Sequence, residues 1–298
     1  MPNSLFTHVG LCVLDIAKNR AFYEELFNYA PQNQMVIEGE SLARLIRLPN
    51  PVKFHCIHLR KDNFELDTLQ PVTPRALPLR ERPVNELGLN CITFKVPVDK
   101  APAIHAKLAT LGGKLLPGGT FARDPNGQLL HLEPAPAGTP LTFTHVSAVV
   151  TDLEKSRKFY EDVLDFQVVA AQPPDGAELA KALDPKAPVT LRSTMLAKGS
   201  ARLELLQFSS PPPTPRRAHP FNEPGLIHLA IRGIPPPALP SLFDNARAHG
   251  GSVLQETVTT VVDDRGVVGV QGASYIADPD GLNIYLSPLK VPDPTTVR

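Results

Sequence analysis

The stretch Phe6-Thr7-His8-Val9, followed by Ala21-Phe22-Tyr23-Glu24, returns as Phe143-Thr144-His145-Val146, followed by Lys158-Phe159-Tyr160-Glu161. Both parts recur after the same interval, since 145 − 8 = 137 and 160 − 23 = 137. Self-similarity at a fixed interval indicates an internal repeat. The sequence therefore predicts two similar domains, 1–137 and 141–290, and two copies of whatever site the repeated histidine belongs to.

The composition limits the partners and the compartment. Lys+Arg and Asp+Glu both number 30 in 298 residues, and a chain without net charge has no electrostatic reason to bind nucleic acid or an anionic membrane. No apolar run is long enough to cross a bilayer, and the first residues lack the pattern of a signal peptide. The three cysteines cannot all pair, which fits a reducing compartment. We therefore expect a cytoplasmic protein whose partner is a small molecule.

Hydropathy patterns divide each copy into two βαβββ units. Alternating apolar residues predict strands, and apolar residues three to four apart predict helices. In the first copy the strands are 7–13, 63–69, 90–96 and 128–133, and the helices are 16–27 and 101–111. In the second copy the strands are 141–150, 166–171, 190–197, 202–208, 227–232, 258–262, 273–276 and 282–286, and the helices are 239–249 and one capped by Thr151, with Glu154 in capping-box spacing. This order predicts an α+β fold in which four βαβββ units, paired two per domain, form two eight-stranded cup-like half-barrels.

Strand alternation places chemically useful side chains on the face of the second domain opposite its helices. Four strands contribute one each: His145, Glu204, His228 and Tyr285. Two imidazoles and a carboxylate are a ligand set for divalent first-row metals, and such a site keeps positions open for substrate oxygens. We predict a metal site at His145, Glu204 and His228, with Tyr285 or Arg232 as the nearby proton donor or anion partner.

Each of these residues also has an ordinary structural explanation. A strand histidine is usually a hydrogen-bonded structural residue, a strand glutamate between leucines usually faces solvent, and a tyrosine usually packs. Only the convergence of three ligand types on one face favours the metal site.

The first domain offers a second candidate site. Its matching faces carry His8, Glu65 and His131, and the alignment of Gly88-Leu89-Asn90-Cys91 with Gly225-Leu226-Ile227-His228 puts Cys91 in the place of His228. The predicted set is therefore His8, Glu65, Cys91 and His131. Thiolate is a competent metal ligand, but a strand cysteine is more often a small buried apolar residue.

The second copy is longer than the first between matching positions. His228 and Tyr285 are 57 positions apart, whereas Cys91 and His131 are 40 apart. The surplus lies around 258–272 and includes Asp263-Asp264-Arg265-Gly266, which predicts a hairpin turn. Such an insertion either shapes substrate access at the mouth of the cup or is a plain surface hairpin.

Several segments together resemble the vicinal oxygen chelate superfamily, which includes glyoxalase I, bleomycin- and fosfomycin-resistance proteins, methylmalonyl-CoA epimerase and extradiol ring-cleaving dioxygenases. The resemblance covers nearly the whole chain and rests on Thr144-His145-Val146, 152–156, Leu203-Glu204-Leu205-Leu206, 223–229 and Asp278-Pro279-Asp280-Gly281. It implies that His145, Glu204 and His228 occupy three of the four metal positions of glyoxalase-like members. The fourth position, usually a glutamate, is Tyr285 here and His131 in the first domain.

The resemblance implies a metal-dependent enzyme of the glyoxalase/dioxygenase type, which uses Fe, Mn, Ni or Zn to polarise vicinal oxygens of a small metabolite as a lyase or isomerase. Ring cleavage is less favoured, because Tyr285 replaces the glutamate ligand of extradiol dioxygenases. The alternative is a metal-free protein that binds or sequesters a small ligand, as bleomycin-resistance proteins do. A third hypothesis is a degenerate first domain that only supports the second. Because fused domains can pair internally as single-domain relatives pair by dimerising, both a monomer and a homodimer stay open.

Overall fold

The computed structural model of the chain describes residues 4–169, 179–180, 188–215, 220–262 and 268–288. The first copy contains, in order, β1 (Leu5–Cys12), α1 (Ile16–Phe27), β2 (Ala30–Glu38), α2 (Glu40–Ile46), β3 (Lys53–Lys61), β4 (Phe64–Thr73), β5 (Gly88–Pro97), α3 (Ala101–Thr110), β6 (Lys114–Leu115), β7 (Phe121–Arg123) and β8 (Leu129–Ala135). The second copy contains β9 (Thr142–Val149), α4 (Leu153–Leu164), β10 (Gln167–Val169), β11 (Thr190–Lys198), β12 (Ala201–Ser210), β13 (Gly225–Arg232), a 3₁₀ turn (Pro236–Ala238), α5 (Leu239–Ala248), β14 (Ser252–Val262), β15 (Val268–Ala277) and β16 (Asn283–Ser287). The predicted turn at 263–266 and the end of the predicted strand 166–171 lie outside the described residues.

The strands form two eight-stranded sheets, which confirms the predicted α+β class and the two half-barrels. The strand order is β14-β15-β16-β13-β1-β4-β3-β2 in the first sheet and β10-β11-β12-β9-β5-β8-β7-β6 in the second. Each sheet takes one unit from each copy, through the antiparallel pairs β1–β13 and β5–β9. The prediction that both units of one copy share a cup is therefore wrong. A repeat does not specify which edge strands join, because every unit presents an edge of the same kind.

The two sheets share one apolar core with α1, α3, α4 and α5. The rings of Phe27 and Phe94 stack with centroids 3.9 Å apart, and those of Phe64 and Phe143 stack at 4.1 Å. Phe27 ends α1 and Phe64 lies on β4 of the first sheet, whereas Phe94 and Phe143 lie on strands of the second sheet. The two stacks therefore attach α1 and the first sheet to the second sheet. In the part of the chain that the structure describes, no helix has the length and apolarity needed to cross a bilayer.

The matching helices α1 and α4 start at aspartates. Asp15 accepts hydrogen bonds from the amides of Ala17 and Lys18, and Asp152 does so from Glu154 and Lys155. Thr151 is therefore not the cap that the capping-box spacing predicted; its hydroxyl donates to Asp280 instead. An aspartate satisfies two of the helix's free amides and also carries the negative charge that this end favours.

The motif Asp-Pro-x-Gly connects the last strand of a unit to a helix of the same copy. The hydroxyl of Tyr23 in α1 donates to Asp124 at 3.1 Å, and that of Tyr160 in α4 donates to Asp278 at 3.0 Å. Burial raises the pKa of each aspartate to about 6, although the surrounding hydrogen bonds act against that rise. The repeated tyrosine therefore has a structural role.

Helix α2 covers the cup face of the first sheet, which is the face opposite the shared core. Its side chains Leu42, Leu45 and Ile46 join an apolar cluster with Phe54 of β3 and Tyr275 of β15. The helix is seven residues long and has no side-chain N-cap, so the sequence carries no periodic signal strong enough to predict it. Its position makes the interior of this cup largely apolar.

A buried ionic network joins the two copies. The guanidinium of Arg80 contacts both Glu86, at 2.6 Å, and Glu223. The two glutamates are 137 positions apart and their side chains are only 3% and 7% exposed. One arginine thus contacts the same position of both repeats, and Arg82 lies 3.6 Å from Glu86 as a second cation.

Candidate metal centre

Three side chains of the first sheet converge on its cup face: His8 of β1, Asp67 of β4 and His228 of β13. Each offers one nitrogen or oxygen atom, and these atoms all lie within 4.8 Å of one another. Among the described residues this is the one group of three or more histidine, cysteine or acidic side chains with that spacing. Two imidazoles and one carboxylate in such proximity form a ligand set for a divalent first-row metal.

Strand register explains how three separate strands deliver the cluster. β1 lies between β4 and β13, and Gly10 is opposite both Asp67 and His228. His8, two residues earlier on the same face, completes the set. A β-carbon on Gly10 would lie 2.2 Å from Cε1 of His228. The imidazole of His228 therefore passes over β1 toward Asp67 through space that only a glycine leaves open.

Burial keeps both histidines of the cluster in the form that binds metal. The pKa of His8 is lowered well below its ordinary value by burial and then by the charge of Arg232. Burial also lowers the pKa of His228 to about 4, against the opposing effect of Asp67. Neutral imidazole carries the free lone pair that a metal needs.

The hydrogen bonds around the cluster leave room for an ion. Nδ1 of His8 lies 3.0 Å from the hydroxyl of Thr7, and Nδ1 of His228 lies 3.4 Å from that of Tyr275. Nε2 of His228, the other nitrogen of that ring, is buried without a hydrogen-bond partner. Buried polar atoms are normally satisfied, so this unpartnered nitrogen, in a set of metal-binding side chains, fits a divalent metal.

Aromatic rings border the cluster on one side. The ring of Tyr285 lies 5.8 Å from that of His8 and 5.7 Å from that of His228, and Phe221 and Tyr275 lie 6.0 and 5.8 Å from His228. Burial raises the pKa of Tyr285 to about 12, although Ser287 and Arg232 act to lower it. The phenol therefore stays protonated and can donate a hydrogen bond at neutral pH.

Charged side chains border the cluster on the other side. Arg232 of β13 pairs with Glu65 of β4 at 2.9 Å, and Nε of Arg232 is buried without a hydrogen-bond partner. His58 of β3 lies 3.3 Å from Asp67. The side chains of both pairs are between 13% and 18% exposed, whereas His8 and His228 are 2% and 3% exposed. Solvent therefore approaches the cluster from its charged side.

The structure does not bring together the predicted ligands His145, Glu204 and His228. His145 lies on β9 and Glu204 on β12, both in the second sheet, whereas His228 lies on β13 in the first sheet. The prediction was wrong because it assumed that the two units of a copy share a cup. Tyr285, the predicted proton donor, does lie beside His228. Arg232, the predicted anion partner, lies four residues further along the strand of His228, and its charge acts on His8 and Tyr285.

The second predicted set is likewise divided between the sheets. His8 and Glu65 belong to the first sheet, and Cys91 and His131 to the second. Glu65 is bound to Arg232 and is not part of the cluster. Asp67 is the carboxylate of the cluster in place of Glu65. The sequence indicated this residue, because Asp67 precedes Glu204 by 137 positions, which is the interval of the repeat, whereas Glu65 does not precede Glu204 by that interval.

The second sheet has a different arrangement at the matching positions. His145 lies 3.3 Å from Glu204, and the hydroxyl of Ser147 donates to the same glutamate at 3.0 Å. His131 stacks on Phe121 with centroids 4.5 Å apart, and burial lowers its pKa to about 4. Burial raises the pKa of the Cys91 thiol well above its ordinary value. Among the described residues, these side chains do not form a group with the close ligand spacing of His8, Asp67 and His228.

Comparison with known proteins agrees with this architecture. Residues 142–286 match the family described as the Glyoxalase/Bleomycin resistance protein/Dioxygenase superfamily. Glyoxalase I from Zea mays has 18% identity and a TM-score of 0.59, over 95% of this chain and 92% of that one. A mutant of the same maize enzyme aligns over the same shares, at the same identity, with a TM-score of 0.63. A putative dioxygenase from Bacillus subtilis has 12% identity and a TM-score of 0.55, over 97% of this chain and 85% of that one.

At these identities the solved structures share the fold, and no curated protein sequence matches the chain. The family match lies in the second copy, and the internal sequence repeat relates the first copy to it. Residues 142–286 of the chain belong to the glyoxalase/bleomycin resistance protein/dioxygenase superfamily.

Proposed function

We propose that the protein is a metal-dependent enzyme that acts on a small oxygen-rich metabolite at the cup face of its first sheet. The observation that carries this proposal is the cluster of His8, Asp67 and His228, whose ligand atoms lie within 4.8 Å of one another. These three side chains would hold Fe, Mn, Ni or Zn. The bound ion would supply Lewis-acid polarisation of the oxygens of the substrate.

The residues around the cluster have distinct roles in this proposal. Tyr285, protonated because burial raises its pKa to about 12, donates a hydrogen bond or a proton to an oxygen of the substrate. Arg232 offers an unpartnered buried Nε–H group beside the cluster and stabilises negative charge as it develops. The apolar cluster under α2 excludes water from the opposite side, which strengthens both interactions.

The reaction class follows from these groups. When a carbonyl group is polarised, the hydrogen-bearing carbon next to it loses its proton more easily to a base. Enolisation, isomerisation and elimination are therefore within reach of the site. The set of two histidines and a carboxylate is also that of oxygen-activating iron enzymes. Isomerase or lyase chemistry is the main hypothesis, and ring cleavage is the less favoured one, because Tyr285 stands where relatives that cleave rings have a ligand.

A metal-free binding protein is the second candidate function. The aromatic rings of Phe221, Tyr275 and Tyr285 around His228 would contact a flat ligand. This hypothesis assigns no role to the unpartnered Nε2 of His228. It therefore explains less of the site than the metal-dependent enzyme does.

Metal binding tests the proposal first. Protein purified without a nickel column and stripped with a chelator is titrated with Mn²⁺, Fe²⁺, Ni²⁺ and Zn²⁺, and the midpoint of thermal unfolding is recorded. We expect a rise for at least one ion that is lost in His8→Ala and His228→Ala. The matched control, His145→Ala, should keep the rise. A protein that responds to none of the ions would favour the metal-free hypothesis.

Proton exchange then tests the chemistry. The metal-loaded protein is incubated in D₂O with a panel of 2-hydroxy and 2-oxo carbonyl compounds, and loss of the α-proton signal is followed by NMR. We expect exchange with the loaded protein and none with the stripped protein or with His228→Ala. Oxygen consumption with catechols, without such exchange, would instead indicate ring cleavage.

A further inference from the structure

We propose that His58 is a positioning residue, which fixes the carboxylate of Asp67 toward the ion that the cluster holds. The inference rests on the proposed metal site and adds a second layer to it. His58 is on β3, next to the strand of Asp67, and is not one of the three side chains that converge. Side chains that orient a metal ligand are as much a part of a metal site as the ligands themselves.

The register of the sheet places His58 next to its partner. His58 is directly opposite Asp67 in the antiparallel pair β3–β4, and Nε2 of the histidine lies 3.3 Å from Oδ1 of the aspartate. Asp67 in turn is opposite Gly10, and Gly10 is opposite His228. His58, Asp67, Gly10 and His228 therefore form a row across four neighbouring strands. The carboxylate lies in this row with His58 on one side and the other ligands beyond the glycine.

The internal repeat shows that this contact is not a general property of the fold. The position that matches Asp67 in the second copy is Glu204, and the residue opposite Glu204 on the neighbouring strand is Met195. Methionine carries no N–H group that could orient a carboxylate. Glu204 is bound by Ser147 and His145 instead. The histidine opposite the carboxylate therefore occurs in the sheet with the metal cluster and not in the other.

The affinity for metal gives a direct test. The dissociation constant of Mn²⁺ or Zn²⁺ is measured by calorimetric titration for the full-length wild type, His58→Ala and His58→Gln. Removal of a residue that orients a ligand weakens metal binding by roughly 10- to 100-fold, and we expect that loss in His58→Ala. Because the amide nitrogen of glutamine can occupy the place of Nε2, His58→Gln should recover most of the affinity.

His55 provides the matched control. It lies on the same strand but points to the opposite face, as Ile57 of the shared core does. His55→Ala should keep the wild-type affinity. Equal affinity of His58→Ala and the wild type would overturn the role of His58 and leave the metal site standing. Equal weakening in His58→Ala and His58→Gln would also overturn it. A wild-type protein that binds neither ion would instead contradict the proposed function itself.

Discussion

The imidazole ring of His228 occupies the space that a side chain at position 10 would fill, so Gly10 is the residue that makes room for the ring. A β-carbon there would lie 2.2 Å from Cε1, 2.6 Å from Nδ1 and 2.8 Å from Nε2. In the second sheet the matching pair is Ser147 and Cys91. A histidine therefore faces a glycine in one sheet, and a cysteine, which is smaller than histidine, faces a serine in the other.

The substitution Gly10→Ala should weaken the proposed metal site without an intrinsic backbone penalty, because Gly10 is not among the glycines with positive φ. The methyl group must displace the ring of His228, which costs roughly 1–3 kcal/mol as overpacking. We expect metal affinity to fall at least about tenfold. Urea unfolding and calorimetric titration measure the two effects.

A double variant separates the clash from other effects of the alanine. In Gly10→Ala/His228→Ala the ring is gone, so the loss of stability caused by the methyl group should largely disappear, while metal binding is lost with the proposed ligand His228. If Gly10→Ala cost the same stability with and without the imidazole, the close approach of residues 10 and 228 would not be the reason.

Removal of the Tyr285 hydroxyl should affect chemistry more than metal binding. Tyr285→Phe keeps the ring contacts with His8 and His228 but loses the proton donor. General acid catalysis contributes about 10²- to 10⁴-fold, so we expect α-proton exchange to slow by about 10²-fold with the metal dissociation constant unchanged. NMR exchange rates and calorimetry measure these quantities, and an unchanged exchange rate would remove Tyr285 from the mechanism.

The stability of the fold should fall as the pH rises through the range in which Asp278 titrates. Its pKa is raised by burial from 3.8 to about 6, so the folded chain binds this proton more tightly than the unfolded chain does. Between about pH 4 and pH 6 the free energy of unfolding then decreases, by up to about 3 kcal/mol for this group.

The variant Asp278→Asn tests that dependence. The amide oxygen can accept from the backbone of residues 280 and 282, and Tyr160 can turn its hydroxyl to accept from the amide nitrogen. Relative to the wild type, the variant should gain stability as the pH is raised from about 4 to about 7, as measured by urea unfolding. Parallel pH profiles for the two proteins would show that Asp278 does not titrate in this range.

The substitution Arg80→Met should destabilise the fold by about 3 kcal/mol, because it leaves Glu86 and Glu223 buried without this cation. Adding Glu86→Gln should restore part of the loss, since it removes one of the two charges. Chemical denaturation of the three proteins measures this, and a loss below about 0.5 kcal/mol, typical of exposed ion pairs, would mean that the network adds little.

The sequence predicted the elements better than their assembly. Helix α1 occurs at its predicted residues, and the repeat located the paired histidines His8 and His145. The exchange of units was not predictable from hydropathy, because β13 offers the same alternating pattern whether it joins β9 or β1. As a consequence His228, correctly assigned to the cup face, was combined with partners of the wrong sheet.

The site was recoverable in part from the repeat interval. Asp67 and Glu204 are 137 positions apart, and so are Cys91 and His228. Strict use of this interval would have identified Asp67 in place of Glu65. It would not have identified the role of Gly10, because the close approach of the His228 ring to this glycine is visible only in the structure. Nor would it have placed α2 over the cup, because seven residues are too few for a helical period.

The stoichiometry and location of bound metal test the central claim most directly. Full-length protein is stripped, loaded with one divalent ion, freed of excess ion and analysed by elemental mass spectrometry, alongside His8→Ala, Asp67→Asn, His228→Ala and the pair His145→Ala and Glu204→Gln from the second sheet. We predict about one ion per chain in the wild type and in the two second-sheet variants, and near zero in the other three. Retention of the ion in His228→Ala, together with its loss in His145→Ala, would contradict the assignment of the metal site to the first sheet.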